Sequence, residues 1–336
     1  MSRRGWAMFA AMGLIWGVPY LLIKIAVGGG TGGAGGVPVP VLVLGRVAVG
    51  AALLLPLALR RGHLAAVRPV LGWLVLFSVV EIVLPWYALA QAERGISSSL
   101  AGLLIASVPV IVAVVGMATG VVGRISPVRW FGLFIGLAGV ALLAGPGLVG
   151  PGTTAARAAS VGEVLFVALC YATGPLILKA KLADVPPIAQ TVASLLVAAV
   201  IYAPLAALTW PSAVPSGRVL AAIAGLAVLC TAAGFVIFFA LIGEVGPARA
   251  SVITYVNPAV AVLLGVLVLG ERVTPLMIGA FVVILAGSVL ATRPAPRPSV
   301  AAVVGQPLDG PGDFDRLGEA DPEAGRALPQ TGSRPL

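Results

Sequence analysis

Charge is scarce in this sequence. Only 10% of its 336 residues are Asp, Glu, Lys or Arg, where an ordinary soluble domain carries about 25%. That supply cannot cover a soluble globular surface, and a hydrophobic share of 60% excludes a disordered chain as well. Histidine is reduced to His63, and cysteine to Cys170 and Cys230. Both cysteines lie inside apolar runs with no CxxC or Cys/His ligand spacing. They read as small buried hydrophobes, not as a disulfide framework, a zinc site or half of a Cys–His pair. Walker A pattern, nucleophile–base pair and phosphate loop are all missing. No enzymatic activity, cofactor or metal is therefore expected, and energy for any transmembrane task has to come from gradients. The formal charge of +9 does not mark a nucleic-acid partner, because the cations come one to three at a time between apolar runs and never as an aromatic-interleaved patch.

What is abundant is apolar sequence. Ten runs stand out, at about 6–27, 38–59, 69–90, 97–120, 127–146, 161–180, 187–209, 217–242, 249–269 and 274–292. Each can cross a hydrocarbon core of roughly 30 Å as a helix, and helices are required because backbone N–H and C=O groups must be satisfied within the segment. The runs are continuous rather than alternating, which argues against a barrel. The expected fold class is an all-α polytopic membrane protein with ten transmembrane helices. Ser2-Arg3-Arg4 precedes the first run in the manner of a signal peptide, but that run is too long and is expected to be retained. The glycine tract 28–36 reads as a flexible connector. From Arg293 on, the chain is rich in Pro, Gly and acids (Asp309, Asp313, Asp315, Glu319, Asp321, Glu323) and is expected to be a disordered tail.

Placement of Lys and Arg sets the expected orientation. With residues 1–5 in the cytoplasm, twelve cations lie inside, from Arg3 to Arg297, against five or six outside: Lys24, Arg94, Arg157, Arg218 and Arg272, plus Arg46 if it ends a helix. Both termini are expected on the cytoplasmic side of the cell (plasma or inner) membrane.

The two halves resemble each other. Leu14-Ile15-Trp16-Gly17-Val18-Pro19-Tyr20-Leu21-Leu22-Ile23-Lys24 aligns with Leu169-Cys170-Tyr171-Ala172-Thr173-Gly174-Pro175-Leu176-Ile177-Leu178-Lys179. Ala101 to Pro109 parallels Ala250 to Pro258, and the fifth and tenth runs share a proline start (Pro127, Pro275) and a late Ala-Gly. The predicted organisation is repeat one over 6–146, an outer connecting loop over 147–160, repeat two over 161–292 and the tail over 293–336. Five spans is an odd number, so the second copy enters the membrane from the opposite side. Such inverted repeats are typical of secondary transporters, which expose one midplane site alternately to either side.

The layout, with Trp16-Gly17 in the first run, Arg46 opening the second, Pro109 and Pro258 in mid-run and Gly270-Glu271 closing the ninth before Pro275, resembles the drug/metabolite transporter superfamily, EamA-like branch. The resemblance covers residues 6–292. It implies a 5+5 inverted bundle, a central cavity lined mainly by runs 1, 3, 4, 6, 8 and 9, and movement of small metabolites, often outward. In one respect the sequence departs from the pattern: the first-half counterpart of Gly270-Glu271 is Gly120-Val121-Val122-Gly123, without an acid. Glu271 is therefore read as a helix-end residue.

Candidate residues follow from polarity inside apolar runs. Glu81 is in mid-run, where a charge costs about 2.5–3.5 kcal/mol. It must face the cavity, hold a proton or pair with a cation, and is the proton-coupling candidate. Glu93, Glu163, Glu244 and Glu271 sit at run ends as expected solvated caps. Lys24 and Lys179 are expected to snorkel, with a gate or anion contact as the sharper reading, shared by Arg46. Pro19, Pro109, Pro175 and Pro258 break helices and free carbonyls. Trp16, Tyr20, Glu81, Trp86, Ser107, Tyr171, Tyr255 and Asn257 are the cavity-lining candidates, and Trp73, Trp130 and Trp210 read as interface belt. Gly132 and Gly136, and Ser98 and Gly102, make small-xxx-small faces for helix packing. The expected function is secondary active export of amino-acid-like or drug-like metabolites, by a monomer or homodimer coupled to a proton or ion. A lipid-carrier flippase and a non-transporting sensor or assembly protein are the alternatives.

Overall fold

The computed structural model describes residues 2–28, 35–60, 63–118, 126–148, 154–250 and 252–291. Most of the glycine tract, Arg61, the stretch Gly120–Gly123, Arg124 and the acidic tail lie outside the described residues. Among the described residues every regular element is helical. In chain order these are α1 (Arg3–Ala26), α2 (Val39–Arg60), a 3-10 segment (His63–Val70), α3 (Leu71–Ser78), a π-helical segment (Val79–Val83), α4 (Leu84–Gly95), α5 (Ser98–Ile105), α6 (Val108–Ala118), α7 (Pro127–Leu148), α8 (Ala155–Lys181), α9 (Pro187–Leu208), α10 (Gly217–Gly225), a second π-helical segment (Leu226–Ala233), α11 (Gly234–Val245), α12 (Pro247–Ala250), α13 (Ile253–Leu269) and α14 (Pro275–Ala291).

Eight stretches are long and apolar enough to cross a membrane: Arg3–Ala26, Val39–Leu59, His63–Gly95, Ser98–Ala118, Pro127–Gly145, Ala155–Lys181, Pro187–Leu208 and Gly217–Val245. α13 and α14 are apolar but shorter, at 17 residues each. At 1.5 Å per residue that is about 26 Å, slightly under a typical hydrocarbon thickness. The third and eighth stretches hold a feature the apolar pattern does not reveal, since each switches from α to π geometry midway and back again. The fourth is broken at Ala106 and Ser107, so Pro109 sits in the first turn of α6.

Hydroxyl side chains start the helices. Ser2, Ser97, Thr154 and Ser216 accept from the backbone N–H of Gly5, Leu100, Arg157 and Val219 at 3.0–3.4 Å, satisfying donors left open at a helix start. Gly270 ends α13 in the left-handed region, φ +64°, which glycine adopts without a Cβ penalty. Arg129 at the start of α7 donates to the last carbonyl of α14, Ala291, at 3.1 Å.

Close contacts fix the relative directions. α1 runs antiparallel to α10 and α11, with Gly5 against Val245 and Gly225 against Leu22. It runs parallel to α13, with Gly13 against Val256 and Gly17 against Val260. The first π-helical segment and α4 together run antiparallel to α8, where Gly95 meets Ser160 and Gly174 meets Glu81. Lys24 reaches the end of α4, so α1 ends and α8 begins at the same end of the bundle. Large apolar side chains such as Leu14, Phe131, Phe134 and Leu267 are exposed, as a lipid-facing surface requires.

The closest approach is between α7 and α14. Gly132, Gly136 and Gly139 face Leu290, Gly287 and Ile284, and a Cβ on Gly287 would land on the Gly136 backbone. Small residues permit this backbone contact. Gly287→Ala is expected to destabilise the protein by about 1–3 kcal/mol through overpacking, read as a lower melting midpoint in detergent. An unchanged midpoint would show that the two helices part easily.

Candidate transport site

Arg46 lies two turns inside α2, not at its opening, and is 9% exposed. Its guanidinium stacks on the Trp86 ring of α4, 3.5 Å from the centroid. Its Nε donates to Thr231 Oγ1 at 3.0 Å, and the Thr231 hydroxyl donates onward to the Leu226 carbonyl at 2.9 Å. A buried relay thus ties α2 to the second π-helical segment. Tyr20 and Tyr171 lie within electrostatic range of the guanidinium. Trp86, Tyr20 and Arg46 are all buried, while Tyr171 is half-buried.

Glu81 occupies the first π-helical segment. Its carboxylate packs where a Cβ on Gly174 would stand, and its buried Oε2 has no hydrogen-bond partner. Tyr171 is within electrostatic range of both Glu81 and Arg46. The structure therefore gathers Tyr20, Arg46, Glu81, Trp86 and Tyr171 into one region built from α1, α2, α4, α8 and the first π-helical segment.

The two π-helical segments are each braced by an aromatic donor from another helix. Tyr202 of α9 donates to the Val83 carbonyl at 2.6 Å, and Trp16 of α1 donates from Nε1 to the Cys230 carbonyl at 3.2 Å. Trp16 also packs on Phe238, with ring centroids 4.6 Å apart. In a π turn the N–H reaches back five residues, which disturbs the regular ladder, and these side chains supply donors there.

At one end of the bundle, polar groups close a junction of four helices. Lys24 Nζ donates to the carbonyls of Glu93 (2.5 Å) and Ile96 (2.7 Å) at the end of α4, where a cation complements the helix dipole. The expected snorkelling of Lys24 is therefore corrected. Glu271, beyond the end of α13, accepts at Oε1 from the N–H (2.7 Å) and hydroxyl (2.9 Å) of Ser98, and at Oε2 from those of Ser99 (2.8 and 2.5 Å). One carboxylate thus caps the start of α5 with both oxygens. Glu93, expected as a solvated cap, is instead fully buried, and neither carboxylate oxygen has a hydrogen-bond partner. At the opposite end Lys179 is exposed, and Glu244 accepts from the Ser2 hydroxyl.

Other sequence-derived candidates lie apart from this region or make contacts of their own. Ser107, in the break between α5 and α6, is fully buried and donates to the Leu104 carbonyl of α5. Asn257, with its amide nitrogen turned inward, donates to the carbonyls of Ile253 (3.0 Å) and Gly13 (3.3 Å), joining α13 to α1. Tyr255 is half-buried. Pro19, Pro175 and Pro258 lie inside α1, α8 and α13. Thr231, Tyr202 and the pair Ser98 and Ser99 were not singled out as polar contacts by sequence, since a hydroxyl in an apolar run gives no sign of its partner. A separate apolar groove of about 360 Å³ lies between α2 and α10, lined by Val41, Leu44, Trp210, Leu220 and Ile223 among others. None of the candidate cavity residues lines it.

Eight apolar stretches of membrane-crossing length around buried aromatic and ionisable side chains are those of a polytopic membrane protein, and its likeness to known proteins places it in the transport class. The EamA-like transporter family model matches residues 3–145 and again 161–293, and the chain belongs to that family of the drug/metabolite transporter superfamily. It is 28% identical over 306 residues to YedA of Escherichia coli strain K12, an uncharacterized inner membrane transporter, covering 89% of this chain and 94% of that protein. The same protein in the O157:H7 strain matches equally. A protein of known crystal structure superposes with a TM-score of 0.60 over 87% of this chain and 98% of its own, at 21% identity, which speaks to fold alone.

Glu271→Gln replaces one acceptor oxygen with a donor that the backbone N–H of Ser98 or Ser99 cannot use. It is expected to cost about 1–2 kcal/mol of stability, read as a lower melting midpoint. Wild-type stability would mean the cap is idle.

Proposed function

We propose that this chain is a secondary transporter of small metabolites working by alternating access between two inverted five-helix repeats, 6–146 and 161–292. The observation that carries the reading is an asymmetry between matching ends. Lys24 and Lys179 close the first span of each half, and Glu93-Arg94-Gly95 and Glu244-Val245-Gly246 close the third and eighth. At one end Lys24 is tied to α4, and Glu271 to α5. At the other, Lys179 is exposed and Glu244 holds Ser2 instead. The two equivalent lysines thus stand in unlike states, Lys24 bonded across helices and Lys179 exposed, and repeat-related positions in unlike states are what alternating exposure of a midplane site calls for. The opposed directions of α1 and α8 support the inversion.

The cation distribution favours the outer side for the Lys24 end and the cytoplasm for both termini, and the Lys179 end would then face the cytoplasm, where a metabolite for export is loaded. Amino-acid-like or drug-like compounds fit the aromatic and charged interior. Glu81, a carboxyl held in the interior without a cation, is the coupling group: binding and releasing one proton changes the charge carried across.

Two experiments test this. With Cys170 and Cys230 replaced by Ala, single cysteines at Ile96 or Val245 report the two ends to a membrane-impermeant maleimide. Lys24→Met is expected to raise labelling at Ile96→Cys and lower it at Val245→Cys, whereas unchanged labelling at both would remove the latch. In proteoliposomes, Glu81→Gln is expected to abolish the response of metabolite flux to a pH gradient. Flux that still follows the gradient normally would dismiss Glu81 as the coupling group.

A further inference from the structure

Arg46 is a buried cation without a counter-ion. Among the described residues no carboxylate lies within ion-pairing distance of it, and Thr231 is its one hydrogen-bond partner. Glu81, in the same region, is not ion-paired with it among the described residues, and its buried Oε2 has no hydrogen-bond partner. An uncompensated buried charge strongly disfavours a fold, so its retention calls for an anion supplied from outside the chain.

The geometry limits what that anion can be. One face of the guanidinium is covered by Trp86 at 3.5 Å, and the Nε edge is taken by Thr231 at 3.0 Å. The end-on fork of the two terminal nitrogens remains, a planar pair of donors that matches the two oxygens of a carboxylate. The two other intramembrane cation candidates are engaged elsewhere: Lys24 is committed to the carbonyls of Glu93 and Ile96, and Lys179 is exposed. One guanidinium balances a monoanion, not a phosphate dianion. Tyr20 and Tyr171 stand near enough to interact with the same charge, so aromatic rings neighbour the guanidinium.

We propose that Arg46 is the anion subsite of the transport site and that the transported molecule carries a carboxylate, docked end-on on the guanidinium. The proposal rests on the transport reading above. Thr231 is the positioning residue. It fixes the Nε edge and is itself anchored to the Leu226 carbonyl, so the second π-helical segment sets where the fork points. A change of shape in that segment on switching sides would turn the fork and release the carboxylate.

The test uses the purified full chain in nanodiscs, titrated with sodium acetate, sodium phenylacetate, benzylamine hydrochloride and sodium chloride at matched ionic strength, and read by melting midpoint and calorimetry. Both carboxylates are expected to raise the midpoint saturably, phenylacetate at lower concentration, while benzylamine and chloride do not. Arg46→Gln is expected to weaken carboxylate binding about tenfold or more, the loss of a bidentate charge-assisted pair. Arg46→Lys should restore part of it, and Thr231→Val should weaken it less than Arg46→Gln. If Arg46→Gln does not fold, Thr231→Val and Arg46→Lys carry the comparison. No saturable response to either carboxylate, binding of benzylamine in their place, or carboxylate affinity unmoved in the variants that fold would overturn the proposal. Carboxylate binding without flux in proteoliposomes would sink the transport reading and leave the subsite standing, while flux without carboxylate binding would do the reverse.

Discussion

Lipid offers no hydrogen bonds, so polar groups within the bilayer depend on partners from the chain itself. The structure follows from how that demand is met. Regular helices satisfy most of the backbone internally. Where a helix ends or its ladder is disturbed, a side chain from elsewhere supplies the missing group: Lys24 for the end of α4, Glu271 for the start of α5, Arg129 for the end of α14, and Tyr202 and Trp16 for the two π-helical segments. These contacts reach across as many as 214 residues of sequence, so the same bonds that quiet the backbone also set which helices are neighbours.

Against that background the unsatisfied groups stand out. Among the described residues Arg46, Glu81 and Glu93 carry charge-capable atoms into the interior without an ion pair. Such residues are expensive in a membrane and frequently mark substrate or ion pathways. Their surroundings differ. Arg46 is stacked and half-satisfied, Glu81 sits on a π-helical segment against a glycine, and Glu93 lies behind the Lys24 junction. The π-helical segments place helical irregularity in the same region as this chemistry, a frequent association at functional sites. Rigid packing elsewhere leaves these two stretches as the points where small changes in backbone bonding would move a charged side chain.

Much of this was legible in the residues. The apolar runs located the eight membrane-length stretches and the two shorter apolar helices, mostly to within about three residues, although the third stretch runs from His63 to Gly95 rather than 69–90 and the sixth begins at Ala155 rather than 161, and the glycine spacing on α7 marked a face that proves to pack against α14. The site was only partly legible. Glu81 was visible because a carboxyl in mid-run has no ordinary explanation, and Trp86, Tyr20 and Tyr171 because aromatic rings lay well inside apolar runs. The burial of Glu93 and the depth of Arg46 were not, because a residue near a run end looks solvated until the packing of neighbouring helices is known. Both π-helical segments escaped notice for a related reason: Val79–Val83 and Leu226–Ala233 are composed of residues equally at home in an α-helix, and tertiary contacts decide the difference.

The pairing of α7 with α14 bears on how the protein is made. The glycines of α7 at 132–139 meet residues 284–291 of α14, about 150 positions further along the chain. A contact so distant in sequence cannot form until both segments are in place, because the chain between them has to be ordered before the contact repays the cost. The seam therefore belongs to a late stage of assembly, and a substitution there would act on the yield of finished protein more than on the formation of the individual helices.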